Sequence, residues 1–221
     1  MRAALSVLFF CMIAAQSAHA GAWLRDPDSG FLSVSATMRH LGDFWQSENG
    51  LYGEYGLAPR LTLGVDINEK PGIAGHVLLF ARVPVGPADR RTKVAVELGL
   101  GAHHWQGQWG AMIKPGVSVG RGFTNRWGDG WFNVDAALEF RHPNPDPAFK
   151  LDAALGLFSG RRIRPLLQFE STYVQGKPLA WTASPWVLID GRNDTTWLIG
   201  LERKTAGQTS LGLRIGHWRS F

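Results

Sequence analysis

The chain of 221 residues has a single cysteine, Cys11. It lies in an apolar N-terminal stretch from Ala3 to Ala15, so no disulfide and no thiolate metal site can form in the remainder of the chain. No apolar run reaches the roughly 20 residues a bilayer-spanning helix needs. Lysines are few, and no basic run interleaved with aromatics occurs, which excludes a nucleic-acid partner despite the basic balance of 23 Lys+Arg against 18 Asp+Glu. Gly99-Leu-Gly101-Ala-His-His lacks the third glycine of a dinucleotide fingerprint, and no helical pattern comes after it.

What is present first is a leader. Arg2, the apolar stretch and Ala18-His19-Ala20 fit a secretory signal with small-x-small cleavage. Residues 1–20 are therefore expected to be removed, leaving 21–221 as one domain that starts at Gly21. Its 22 Lys+Arg against 18 Asp+Glu make a mild excess of +4.

The rest of the chain alternates. Leu61, Leu63, Val65 and Ile67 share one face, opposite Thr62, Gly64, Asp66 and Asn68. The same pattern recurs with Val94, Val96, Leu98 and Leu100 against Lys93, Ala95, Glu97 and Gly99; with Phe132, Val134, Ala136, Leu138 and Phe140 against Asn133, Asp135, Ala137 and Glu139; and with Leu151, Ala153, Leu155 and Leu157 against Lys150, Asp152, Ala154 and Gly156. A helix would spread these charges around its circumference, whereas period two puts them on one side. Twelve such segments of about ten residues suit an all-β, closed antiparallel transmembrane barrel with short loops, apolar outside and polar inside. Pro115 and Pro185 fall within the sixth and tenth segments, where a closed sheet has no free edge to absorb a missing donor, so bulges there or a ten-strand barrel are the alternatives.

The alternation ends on Leu211-Gly-Leu213-Arg-Ile215-Gly-His217-Trp-Arg219-Ser-Phe221. Leader, alternating strands and terminal aromatic together resemble Gram-negative outer-membrane β-barrels. That resemblance implies outer-membrane lipid and the barrel assembly machinery as partners, with Phe221 as the assembly signal and both termini facing the periplasm. His217 and Arg219 depart from the pattern by sharing the lipid-facing parity of Phe221. Tyr52-Gly-Glu54-Tyr55-Gly-Leu-Ala-Pro-Arg-Leu-Thr-Leu-Gly-Val-Asp66 is similar to a hairpin of the MetA-pathway phenol-degradation barrels. That similarity implies passage of small hydrophobic compounds.

In this frame Ala58-Pro59-Arg60, Gly86 to Arg91, Arg121 to Asp129, Gly160 to Arg164 and Asp190 to Asp194 are periplasmic links. Leu41 to Gly50, Glu69 to Gly75, His103 to Gly107, Arg141 to Ala148 and Thr205 to Gly207 are links on the opposite side. The periplasmic links gather arginine: Arg60, Arg90, Arg91, Arg121, Arg126, Arg161, Arg162, Arg164 and Arg192. Trp45, Trp105, Trp109 and Trp181 map to the outer rim, and Trp127, Trp131, Trp197, Trp218 and Phe221 to the inner rim, as aromatic belts require.

The inward parity carries Arg39, Arg82, Lys93, Lys114, Lys150 and Arg214 against Glu54, Asp66, Glu97, Asp135, Glu139, Asp152, Glu170 and Glu202. Such charges must be wet or paired across the lumen. Small residues share that face, among them Gly64, Gly99, Gly101, Gly116, Gly156, Gly200, Gly212 and Gly216, and are read as leaving room in the lumen. His103 and His104 are adjacent and point to opposite faces of a strand, which disfavours a shared metal. Nothing in linear order pairs Ser47 or Ser184 with His103, His104 or His142 as nucleophile and base. With no cofactor expected, the reading is a narrow passive channel or small-solute uptake protein of weak ion selectivity. A structural barrel with a plugged lumen, a rim-located lipid-modifying enzyme and a soluble periplasmic barrel are the alternatives.

Overall fold

The computed structural model describes residues 21–87, 89–126, 128–158 and 162–221. The leader, Trp127 and Arg161 lie outside the described residues. The order is β1 (Gly30–Leu41), β2 (Phe44–Ala58), β3 (Leu61–Lys70), β4 (Ala74–Pro84), β5 (Thr92–Trp105), β6 (Gln108–Asn125), β7 (Gly128–Arg141), β8 (Ala148–Phe158), β9 (Ile163–Val174), β10 (Ala180–Asp190), β11 (Thr195–Ala206) and β12 (Gln208–Ser220). Each strand pairs antiparallel with its neighbour in sequence, and β1 pairs with β12, so the sheet closes into a twelve-stranded barrel.

The closing seam brings together residues from the two ends of the sheet. Gly30 N donates to Phe221 O at 2.6 Å, Phe221 N donates to Gly30 O at 3.0 Å, and the Phe221 ring lies where a side chain on Gly30 would go. A glycine covered by a cross-strand aromatic is a recurrent device for pinning register.

Neither proline shifts the ladder. Pro115 stays in register with Leu98 of β5, while pairing with β7 lapses at Lys114 and Pro115 and resumes at Gly116 opposite Ala137. Pro185 is likewise paired with Leu167 of β9, and the lapse faces β11. The missing donor is thus confined to one side of each strand. The ten-strand and bulge alternatives both fall; the register shift that does occur joins β2 to β3, between Gly56 and Ala58.

Two expected loops are strand. The chain turns at Gly42 and Asp43, with Gly42 at φ 60°, and pairs again from Phe44 opposite Leu41. Glycine at positive φ in the first position of a two-residue link is the geometry that matches hairpin twist. Gln46, Ser47, Glu48 and Asn49 are polar on both faces, so no apolar alternation marked this part of β2. Likewise β6 and β7 run on to Asn125 and from Gly128, which moves Arg121 into β6. Arg164 also belongs to a strand, β9.

The outer wall is apolar and exposed on every strand, as at Met38, Leu79, Leu100, Leu155, Ile199 and Leu213. Trp45, Trp105, Trp109, Trp197 and Phe221 are more than half exposed at strand ends. His217 sits edge-on to Trp197, with ring centroids 4.7 Å apart, so the polar ring on this face is screened by an aromatic neighbour. Trp131 and Trp218 point inward and do not join the belt. Trp131 packs in a buried cluster with Leu166, Trp186, Leu188 and Leu198, flanked by Trp23, Phe158 and Trp218.

Candidate functional site: a charged cavity above an N-terminal plug

The interior divides into a dry half, at the end holding both chain termini, and a polar half above it. Residues 21–29 precede β1 and fold back into the barrel. Ala22 N donates to Asn133 Oδ1 at 3.1 Å, Arg25 N to Thr62 Oγ1 at 2.9 Å, and Arg25 Nε to Glu54 Oε2 at 2.6 Å. Asp28 N donates to Gly56 O and Gly56 N to Ser29 O, both at 2.9 Å, so the segment joins the edge of β2 before β1 begins. Arg25 stacks over Phe31 at 4.5 Å, and Trp23 meets Trp131 edge-on at 6.3 Å. With the aromatic cluster on the opposite wall, this segment plugs the termini end.

Several inward glycines serve this packing. A Cβ on Gly156 would lie 2.6 Å from Trp131 Nε1, and one on Gly200 the same distance from the Trp186 ring. Gly64 lies under Phe80, and Gly120 under Trp23. Reading small lining residues as open lumen is therefore wrong at Gly64, Gly156 and Gly200, where the space is taken by a neighbouring ring. Gly116 does line the open space, whereas Gly99 is buried beside Lys114, whose side chain reaches Asp66 on β3 at 3.2 Å.

Above the plug lies a cavity of about 660 Å³. Asp66, Arg82, Glu97, Lys114, Asp135, Glu139, Lys150, Asp152, Glu170 and Arg214 line it, together with Glu48, Lys70, His76, Arg141 and Lys204, and Gly21 forms part of its floor. Of the other inward charges, Arg39, Glu54 and Glu202 are buried in the wall or against the plug, and Lys93 lies on the termini half of β5 opposite Gly120.

Ion pairs hold these groups in patches. Arg82 is the centre of the first: it contacts Glu54, reaches Glu97 Oε2 at 2.6 Å and donates to the Tyr52 hydroxyl at 2.9 Å. In the second, Arg39 bridges Glu202 at 2.8 Å and Glu48 at 2.7 Å, while Lys70 and Lys204 approach the same Glu48 oxygen at 3.6 and 3.5 Å. Arg214 extends that patch to Glu202 at 3.7 Å and to Glu170 at 3.6 Å, and donates to Ser184 Oγ at 2.9 Å. A third patch sets Glu139 between Arg141 at 2.5 Å and Lys150 at 3.8 Å. Asp66 also has His76 at 3.3 Å. The lining holds seven carboxylates and seven Lys or Arg side chains, so the field at the cavity wall changes sign from patch to patch rather than carrying one polarity.

Glu48, Lys70 and Lys204 share parity with Glu54, Asp66 and Glu202, and counting in twos past the apolar core of each strand reveals them. Arg25 has no such signature, because it precedes the first strand.

His103 and His104 separate across the wall. His103 Nε2 lies 2.9 Å from the His142 carbonyl oxygen, and His104 Nε2 lies 2.8 Å from Glu69 Oε2, against the Trp109 ring. Among the described residues no group of three or more His, Cys, Asp or Glu is placed to hold a metal ion. Ser47 is on the outer parity of β2, and Ser184 is inside beside Arg214.

No family model matches the chain, and no curated protein sequence matches it. Solved structures do. The KdgM porin aligns with 86% of this chain and 99% of its own at 11% identity and a TM-score of 0.60. A KdgM porin structure in complex with disordered oligogalacturonate aligns over the same shares at a TM-score of 0.58. The COG4313 outer membrane channel from Pseudomonas putida F1 covers 93% of this chain and 100% of its own at 12% identity and a TM-score of 0.53. The fold is thus that of bacterial outer-membrane β-barrels.

Proposed function

We propose that the protein is an outer-membrane channel of narrow bore, with its termini end in the periplasm, that admits small polar solutes through the charged cavity when the N-terminal segment is displaced. The observation that carries this reading is the cavity of about 660 Å³, walled by alternating charge and floored by Gly21, inside a barrel whose outer surface is apolar. Closed barrels are the one β architecture that pairs every backbone group within lipid. Twelve strands lie between the filled eight-stranded barrels and the open sixteen-stranded porins. Phe221 is in place to serve as the assembly signal, since it completes the seam.

Balanced charge favours neutral or zwitterionic solutes. It gives no preference to an acidic oligosaccharide such as the one found with the KdgM porin. It also disfavours the hydrophobic cargo that the β2–β3 hairpin's similarity to MetA-pathway barrels implies, because an apolar solute would strip water from unreplaced charges. Conductance of the refolded protein in planar bilayers tests the proposal. The intact chain should pass little current, and a chain lacking residues 21–27 should show discrete steps that shrink when Lys114 or Glu97 is neutralised. A silent deletion variant that is still folded would instead support the second reading, a structural barrel, which the plug and the Trp131 cluster favour.

A further inference from the structure

Gly21 sits at a carboxylate row that lacks one cation. Asp135 of β7 is directly opposite Asp152 of β8, and Asp152 is directly opposite Glu170 of β9, so three inward carboxylates stand side by side across the wall. Like charges in register repel unless cations intervene. Lys150 approaches Asp152 at 4.0 Å and Arg214 approaches Glu170 at 3.6 Å. Asp135 has no ion pair of this kind among the described residues. Its Oδ2 is contacted by the Asn133 side-chain amide, and its Oδ1 is buried without a hydrogen-bond partner.

The backbone of Gly21 is packed on that oxygen. A Cβ built on Gly21 would fall on Asp135 Oδ1 and lie 2.6 Å from Ser118 Oγ, so no larger residue fits without displacing them. The next residue, Ala22, is 2% exposed and fixed through its N–H to Asn133. Gly21 also comes directly after the small-x-small triplet Ala18-His19-Ala20, where the sequence points to leader cleavage.

We propose that Asp135, with Ser118 and Asn133 beside it, is a binding site for the protein's own N-terminal ammonium, created when the leader is removed. Hydrolysis of the Ala20–Gly21 peptide bond by a leader-cleaving protease consumes one water. The oxygen goes to the Ala20 carbonyl carbon, which departs as a carboxylate, and both hydrogens go to the Gly21 nitrogen, which becomes –NH3+. The peptide N–H of an uncleaved chain is one neutral donor at this position, whereas the ammonium brings a full charge and three donors. Its charge completes the row Asp135, Asp152 and Glu170, and its hydrogen bond to a buried carboxylate is of the strong, charge-assisted kind. Processing is thereby coupled to closure: the plug seats fully only in the cleaved chain. The inference rests on the plugged-channel reading, since it concerns how that plug is held.

The test uses chain 21–221, folded into detergent or lipid, with a free or an acetylated Gly21 amine. In the free form, modification of the α-amine by an amine-directed aldehyde should be at least about tenfold slower in the folded protein than in urea, and Asp135→Asn should restore the fast rate, as expected for loss of one charge-assisted hydrogen bond. In bilayers, acetylation should raise the open fraction by a similar factor in the native sequence and have no further effect in Asp135→Asn, the non-additivity expected of two groups in one contact. Equal labelling rates in folded and unfolded protein, or an acetylation effect unchanged in Asp135→Asn, would overturn the inference. The labelling arm needs no conductance, so it stands even if the 21–27 deletion is silent and the channel reading fails. Conversely, a conducting deletion variant with a freely labelled amine removes only the N-terminal site.

Discussion

The two halves of the barrel interior solve the same problem in opposite ways. At the termini end, inward positions of β7 to β12 carry Trp131, Leu166, Trp186, Leu188, Leu198 and Trp218, and glycines on neighbouring strands are covered by rings. In the other half the same parity carries charges linked in patches around open space. One alternating pattern thus builds both a dry core and a wet one, and what decides between them is the identity of the large inward residues, not the number of small ones. Burying a charge without a partner is costly, so the charged half stays open and cross-linked while the aromatic half closes.

Five changes should sharpen this contrast. The largest effect is expected from removing residues 21–27, which takes the floor from the cavity and should convert a nearly silent barrel into a conducting one in bilayer recordings. Next, Arg82→Ala leaves Glu54 and Glu97 without their shared guanidinium. Breaking a buried pair costs about 3–5 kcal/mol, and the loss should appear as a lower urea midpoint for the shift in gel mobility between folded and unfolded barrel. Gly200→Val puts methyl groups into the Trp186 ring, an overpacking change of about 1–3 kcal/mol. Gly116→Ala, which meets Ala137 Cβ at 3.5 Å in the open half, should cost far less by the same assay. If both glycine changes proved equally harmful, the division into filled and open halves would not hold. The smallest effect is expected from Lys114→Gln, which alters one member of a balanced lining: in the deletion background it should shift the reversal potential in a salt gradient towards cations while leaving the urea midpoint within about 1 kcal/mol.

The sequence made the architecture legible because lipid and lumen impose opposite demands on successive residues. Leu61 to Asn68 and Phe132 to Phe140 could satisfy both only as strands of a closed wall. Legibility failed wherever one of those demands was absent. Beyond the apolar band, Gln46 to Asn49 faces no hydrocarbon, so the first part of β2 read as a loop. Trp131 and Trp218 were assigned to a belt because they fall near strand ends, although their parity with Asn133 and Gly216 directs them inward. Glycines at 64, 156 and 200 announced space but not its occupant, since the rings that fill it come from other strands. The plug left no periodic trace at all: Trp23 and Arg25 acquire meaning only from Trp131 and Glu54, partners distant in the chain.

The plug has no slack in its attachment. Ser29 joins Gly30 directly, Gly30 is bonded to Phe221, and Asp28 holds a left-handed φ of 62° at the bend. An obstruction on a long tether could drift out of the bore and back. This one must swing about Asp28 like a shutter, tearing the Asp28–Gly56 contacts first, and whatever force moves it is delivered straight to the weld where the first and last strands meet.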